Sequence, residues 1–267
     1  MDRKVSPASP NVTADNLNIG LVVAVAVGLL TVILFLLILS RRRRARGRTV
    51  LLTGLSDAGK TLMFRQYVTD HASTPVTTYA SMKENAKADV KISTTGQSGK
   101  SGVALSLVDF PGAEKLRKRL FDQYLSGKNG GRGLKAVVFV VDSASFPKMC
   151  KEVAELLYDL LIETPARVPV LVACSKQDLA LAKSAQVIKS SLEKEFALLN
   201  RTRSAALGST TDEGRGPKVL APSGSEFSLA QLKRRLDFVE CSSLPEEGSD
   251  ENGDNGLKDV TCWLAEI

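Results

Sequence analysis

Hydrophobic and polar positions along the chain fall into three patterns. The first is a single long run. Ile19 to Leu39 gives 21 residues without a charge, and Thr31 is its one hydroxyl. As a helix this run spans ~31 Å, about the thickness of one bilayer core. The second pattern is a series of short stretches that read as strands, Thr49–Thr53, Lys135–Val141, Val168–Cys174 and Leu236–Glu240; Lys135–Val141 has the signature of a strand buried on both faces, and Val168–Cys174 reads as another buried strand. Ala88–Ser93 and Val103–Val108 add a strand pair, joined by the turn-rich residues 94–102. The third pattern has helical spacing. Met149, Val153, Leu156, Leu157, Leu160 and Leu161 form one stripe, and Val187, Ile188, Leu192, Phe196 and Leu199 form another. Leu257, Val260, Leu264 and Ile267 stripe a closing helix, while Leu62–Thr69 and the basic stretch Glu114–Tyr124 are also helix-compatible. Strands alternating with helices after one hairpin predict an α/β domain with a mainly parallel, six-stranded sheet.

These patterns divide the chain. Residues 1–18 form a short polar tail, 19–39 a transmembrane helix, 40–48 a basic linker and 49–267 one domain. Residues 203–226, rich in Ser, Gly, Thr and Pro, read as a surface insertion within it. A cleaved signal peptide does not fit the first run. It is too long, and arginines follow where small residues should mark a cleavage site.

Charge sets the orientation. The formal net charge is +7, and Arg41, Arg42, Arg43, Arg44, Arg46 and Arg48 supply six of those positives. The positive-inside bias puts the domain in the cytosol and the amino-terminal tail outside the cell or in a lumen, where Asn11-Val12-Thr13 is a formal glycosylation sequon. The remainder of the chain is nearly neutral, which argues against a sequence-specific nucleic-acid surface. Cys150, Cys174, Cys241 and Cys262 are widely spaced and His71 is the only histidine, so neither a zinc site nor a disulfide framework is expected.

The chemistry begins directly after the first strand. Gly54-Leu55-Ser56-Asp57-Ala58-Gly59-Lys60-Thr61 has the form G-x-x-x-x-G-K-T, with a strand before it and a helix after it. Gly54 and Gly59 let the backbone turn tightly and present N–H groups to phosphate oxygens. Lys60 supplies a charge for the β- and γ-phosphates, and the Thr61 hydroxyl can ligate Mg²⁺. The helix directs the positive end of its dipole at the same anion. A glycine turn with a chance lysine would match the letters, but not this placement between strand and helix.

Later strand ends add to this loop. Asp109 closes one strand, where a carboxylate can reach Mg²⁺ through water, and Gly112 can offer its N–H to a γ-phosphate. Ser175-Lys176-Gln177-Asp178 closes another. The Asp178 carboxylate can accept from N1–H and the 2-amino group of guanine, a donor pair that adenine lacks. The Lys176 stem can lie over the base, and Ser242 and Ser243 would place N–H groups near the guanine O6. Thr77 or Thr78, in the polar stretch 71–87, could ligate Mg²⁺ and sense the γ-phosphate; Thr78 is the preferred of the two. The implied cofactors are GTP and Mg²⁺.

The ordered set G-L-S-D-A-G-K-T, D-F-P-G, S-K-Q-D and C-S-S resembles the small Ras-like GTPases, and G-L-x-x-A-G-K-T is closest to their Arf/Sar branch. With the amino-terminal transmembrane run, the stretches Val137–Ser143, Val153–Leu161, Cys174–Ser184 and Leu192–Ala206 are similar to the β-subunit family of the signal recognition particle receptor. The likeness covers the chain from about residue 19 to its end. It implies an endoplasmic reticulum anchor that binds GTP and, in that state, docks the receptor's α subunit. It also implies a role in bringing ribosomes with nascent secretory chains to the membrane and its translocon.

Three positions depart from the Ras-like pattern. Ser175 stands where the first base-recognition residue is usually Asn; a hydroxyl can replace part of that contact, so guanine affinity is expected to fall while specificity through Asp178 survives. Ser243 stands where Ala is common, a mild change. Ala113 stands where a Gln often orients the attacking water, and its methyl group cannot do so, so intrinsic hydrolysis is expected to be very slow. Two rival readings follow from the same residues. One is a cycling Arf-type regulator that recruits coats or tethers. The other is a P-loop ATPase or kinase, against which Asp178 argues.

Overall fold

Strict alternation within the apolar strands sends neighbouring side chains to opposite faces of one sheet. The computed structural model describes residues 27–28, 30–31, 47–68, 83–92, 103–126, 133–209, 218–221, 227–244 and 256–267. Its units are Met1–Arg46 and Gly47–Ile267. In the first, Val27, Gly28, Leu30 and Thr31 are helical, and the Thr31 hydroxyl donates to the Gly28 carbonyl at 2.8 Å. The rest of the 19–39 run lies outside the described residues. Among those that are described, no helix is long and apolar enough to cross a membrane.

In the second unit the strands are β1 (Thr49–Thr53), β2 (Asn85–Ile92), β3 (Val103–Asp109), β4 (Leu134–Asp142), β5 (Val170–Ser175) and β6 (Leu236–Glu240). They form one six-stranded sheet in the order β2-β3-β1-β4-β5-β6. β2 runs antiparallel to β3 and every other neighbouring pair is parallel. The helices are α1 (Lys60–Val68), α2 (Arg117–Leu120), α3 (Phe146–Glu163), α4 (Ala185–Ser209) and α5 (Lys258–Glu266).

Both faces of the sheet are covered. Leu51, Val137, Phe139, Val141, Val172 and Cys174 pack with residues of α3 and α4. Their chain neighbours Val50, Leu52, Val138, Val140, Leu171 and Ala173 pack with α1 and α5 on the other face. Each fully buried aliphatic side chain contributes roughly 1.5–3 kcal/mol, so this alternation fixes the register of the central strands.

The basic stretch after β3 is not one helix. It is a 3₁₀ turn (Glu114–Leu116), then α2, then a wider π-type turn (Phe121–Leu125) closed by Ser126 N–H on the Phe121 carbonyl at 2.7 Å. Only Leu120 and Leu125 are buried in it, so few apolar contacts enforce regular spacing. Glu84 ties the segment to the start of β2, accepting from Gln123 and from the Tyr124 hydroxyl, each at 3.1 Å.

The expected insertion at 203–226 needs correction at both ends. α4 continues to Ser209, and residues 218–221 return to the core, where Ala221 is buried. Asn200 explains the return. Its side chain accepts from Ala221 N–H and donates to the Ala221 carbonyl, both at 3.1 Å, and it also accepts from the Tyr158 hydroxyl at 2.8 Å. A buried backbone segment outside the sheet needs such partners. Replacing Asn200 by alanine strands all three groups and is expected to cost about 3 kcal/mol, read as a lower urea midpoint. Tyr158→Phe, which removes one hydroxyl, should cost less. Equal midpoints for Asn200→Ala and the parent would show that the network carries no stability.

Candidate functional site

The loop after β1 takes its shape from three residues with positive φ, Gly54 (142°), Asp57 (61°) and Gly59 (95°). Gly54 passes against β4 so closely that a Cβ there would lie 2.2 Å from the Val140 carbonyl oxygen. Gly112 does the same from the opposite side, where a Cβ would lie 2.5 Å from the Leu55 carbonyl carbon and from the Ser56 nitrogen. Phe110 N–H on the Leu52 carbonyl at 3.0 Å holds this approach, as does the buried Phe110 ring against Tyr124. The two glycine motifs are therefore in backbone contact.

Lys60 folds back into the loop and donates to the Leu55 carbonyl at 2.5 Å, with 6% of its surface exposed. Burial lowers its pKa to about 8, against the opposing pull of Asp109 and then Asp57. The sign of the linkage follows. The unfolded chain binds this proton up to its ordinary pKa near 10.5, so stability rises with pH between about 8 and 10.5. A phosphate group beside Lys60 would restore the proton. Binding of GTP above pH 8 is thus expected to take up a proton and to weaken with rising pH, by up to about tenfold per unit. Calorimetry in two buffers of different ionisation enthalpy checks this, with Lys60→Met as the variant in which the proton uptake should vanish.

The cation ligands proposed from the sequence meet. Thr61 Oγ1 donates to Asp109 Oδ2 at 2.7 Å, and Asn85 Nδ2 reaches the same oxygen at 3.1 Å. Asp109 is 3% exposed, and its other oxygen, Oδ1, is buried without a hydrogen-bond partner. A hydroxyl beside a carboxylate with an unsatisfied oxygen suits a hydrated Mg²⁺ that takes its remaining ligands from phosphate and water. Among the described residues, no group of three His, Cys, Asp or Glu could hold a metal by itself. Thr77 and Thr78 lie outside the described residues.

The residues expected to face a base follow β5 and β6. Asp178 is exposed, and its Oδ1 accepts from the Ser242 hydroxyl at 2.7 Å. Lys176, at φ 62°, extends its ammonium to Asp142 Oδ2 at 2.7 Å. Burial pushes the Asp142 carboxyl up, but hydrogen bonds from Lys176 and Ser145 together with the Lys176 charge outweigh it and hold the group below the usual carboxylate range. Asp142 also accepts from Ala144 and Ser145 N–H ahead of α3.

Two of the expected base-end residues spend polar groups within the protein. The first is Ser175. Its hydroxyl lies 2.6 Å from the Ala58 carbonyl and 2.9 Å from that of Val141, which fastens the phosphate loop to the ends of β4 and β5. The second is Ser242, whose N–H donates to the Gly256 carbonyl at 2.9 Å while its hydroxyl donates to Asp178. Asn85 and Asp142 were not legible as site residues. Asp142 carried a usable signal, a carboxylate closing a buried strand next to the one that ends in Ser175-Lys176.

A family model described as the signal recognition particle receptor beta subunit matches residues 45–236. The signal recognition particle receptor subunit beta of Mus musculus is 39% identical over 223 residues, covering 82% of this chain and 77% of that protein. The Homo sapiens protein of the same name is 37% identical over 230 residues, covering 82% and 76%. Among solved structures, that of the mammalian SRP receptor aligns with TM-score 0.62 and 36% identity, over 82% of this chain and 99% of the other. A match spanning most of the domain, from before the phosphate loop to the start of β6, settles descent: the chain belongs to the family of signal recognition particle receptor β subunits.

Proposed function

We propose that the chain is a GTP-binding subunit that anchors the α subunit of the signal recognition particle receptor to the endoplasmic reticulum membrane. The observation that carries the nucleotide assignment is Asp178, an exposed carboxylate braced by Ser242 beyond the same strand ends as the phosphate loop. Gly54 to Thr61 would wrap the phosphates, Thr61 and Asp109 would hold Mg²⁺, and Asp178 would accept from the guanine edge. The Lys176 stem, tethered by Asp142, would cover one face of the base. Family membership supports pairing with an α subunit. The 19–39 run, with the arginines after it, supports a single-pass anchor with the domain in the cytosol.

Identification of the nucleotide that copurifies with the chain tests this reading. Bound GTP supports a docking platform held in the GTP state. Mostly GDP would favour a cycling regulator, and ATP or ADP would overturn the Asp178 assignment. Ala113 bears on the same question. It begins the 3₁₀ turn after Gly112, and its side chain offers nothing to orient a water. Single-turnover hydrolysis by the isolated chain is expected to be no faster than about 10⁻⁴ per second, the order of unassisted Ras-like domains. A rate typical of partner-stimulated enzymes, with no partner present, would refute slow hydrolysis.

A further inference from the structure

The parallel sheet separates charge between its two ends. Beyond its carboxyl ends stand Asp57, Asp109, Asp142 and Asp178. The amino ends are basic. Arg48 precedes β1, Arg167 lies three residues before β5, and Lys233-Arg234-Arg235 runs into β6. Backbone hydrogen bonds set these segments side by side. Ser106 N–H donates to the Arg48 carbonyl at 2.9 Å, Thr49 N–H to Gly133 at 3.0 Å, and Val170 N–H to Arg235 at 3.0 Å. Arg48, Arg167, Lys233 and Arg235 are exposed.

Among the described residues, the carboxylates near these cations are paired. Asp237 and Glu266 both pair with Arg235, at 2.5 and 2.9 Å, and Glu163 pairs with Lys218 at 2.8 Å. Arg48 and Lys233 have no ion-pair partner among the described residues. We propose that this strand-start face lies against anionic lipid headgroups, so that the nucleotide end of the domain is held away from the bilayer. The sequence selects the occupant. The chain enters the domain at this end, at Arg48, directly after the arginine run and the uncharged stretch 19–39. For a domain anchored there, a bilayer is the first surface that these cations meet, and Lys and Arg near an anionic leaflet are attracted in a salt-sensitive way.

The proposal rests on the anchor of the preceding section, and two readouts keep them apart. The full chain is reconstituted into phosphatidylcholine vesicles, with or without phosphatidylserine, that carry a nitroxide-headgroup lipid. Trp263 is the one tryptophan and reports this end, since Arg235 stacks 5.4 Å from its ring and its indole N–H donates to Asp237 at 2.6 Å. Quenching of Trp263 is expected to be about twofold stronger with phosphatidylserine and to fall back at high salt. The double variant Arg48→Glu/Lys233→Glu, which touches neither Trp263 nor the candidate site, should lose that increment. Equal quenching in both lipid mixtures, or an increment unchanged in the variant, overturns the proposal. So does charge-dependent cosedimentation with ribosomes without any lipid effect, which would give the face to RNA. Alkaline carbonate extraction reports the anchor independently. A chain that is extracted but keeps the lipid increment loses the anchor and retains the face; one that resists extraction without the increment does the reverse.

Discussion

Asp178→Asn is expected to lower GTP affinity by about 3 kcal/mol, roughly 150-fold, while improving binding of xanthosine triphosphate. The carboxylate can accept from two guanine donors at once, and each hydrogen bond to a charged group is worth about 1.5–3 kcal/mol. An amide keeps one acceptor and turns a donor towards the base edge. The xanthine ring presents a carbonyl where guanine has its amino group, and so accepts from that donor. The variant should remain folded, because Asp178 is exposed and its recorded partner, the Ser242 hydroxyl, can still donate to the amide oxygen. Fluorescent GTP titration with unlabelled XTP as competitor measures both changes. Unaltered GTP affinity would remove Asp178 from base recognition.

Gly54→Ala is expected to destabilise the domain by about 3–5 kcal/mol, a large part of the 5–15 kcal/mol typical of a whole domain. The new methyl carbon would sit 2.2 Å from the Val140 carbonyl oxygen at a φ of 142°, where L side chains are strained. Neither side can yield cheaply. Val140 belongs to a central, fully covered strand, and Phe110 and Gly112 press on the loop from the other side. A denaturant midpoint within about 1 kcal/mol of the parent would mean that β4 yields and that the loop is not wedged.

The same packing explains what could be read from the sequence. β1 and β6 occur at the predicted limits, Thr49–Thr53 and Leu236–Glu240; in β1, where Val50 to Thr53 are all buried, an apolar run in a doubly covered sheet leaves little freedom. Side chains that serve backbone groups distant in the chain left no such pattern. Ser175 occupies a base-reading position in the sequence but spends its hydroxyl on Ala58, and only the third dimension shows that carbonyl within reach. The 203–226 stretch has the composition of a loop, yet Asn200, on the preceding helix, supplies partners that let Ala221 be buried. The basic stretch Glu114–Tyr124 is helix-compatible in sequence. With only Leu120 and Leu125 buried, the backbone there changes its winding instead.

The Ser175 hydroxyl has a consequence for nucleotide release. It joins the strand end that leads to Asp178 to the loop that would surround the phosphates, through a contact 2.6 Å long on Ala58. Any movement that draws residues 175–178 outward therefore also pulls on Ala58, one residue before Gly59 and two before Lys60. Base and phosphate sites would loosen as one mechanical unit. A protein that pried at either end could speed departure of the whole nucleotide without touching the other.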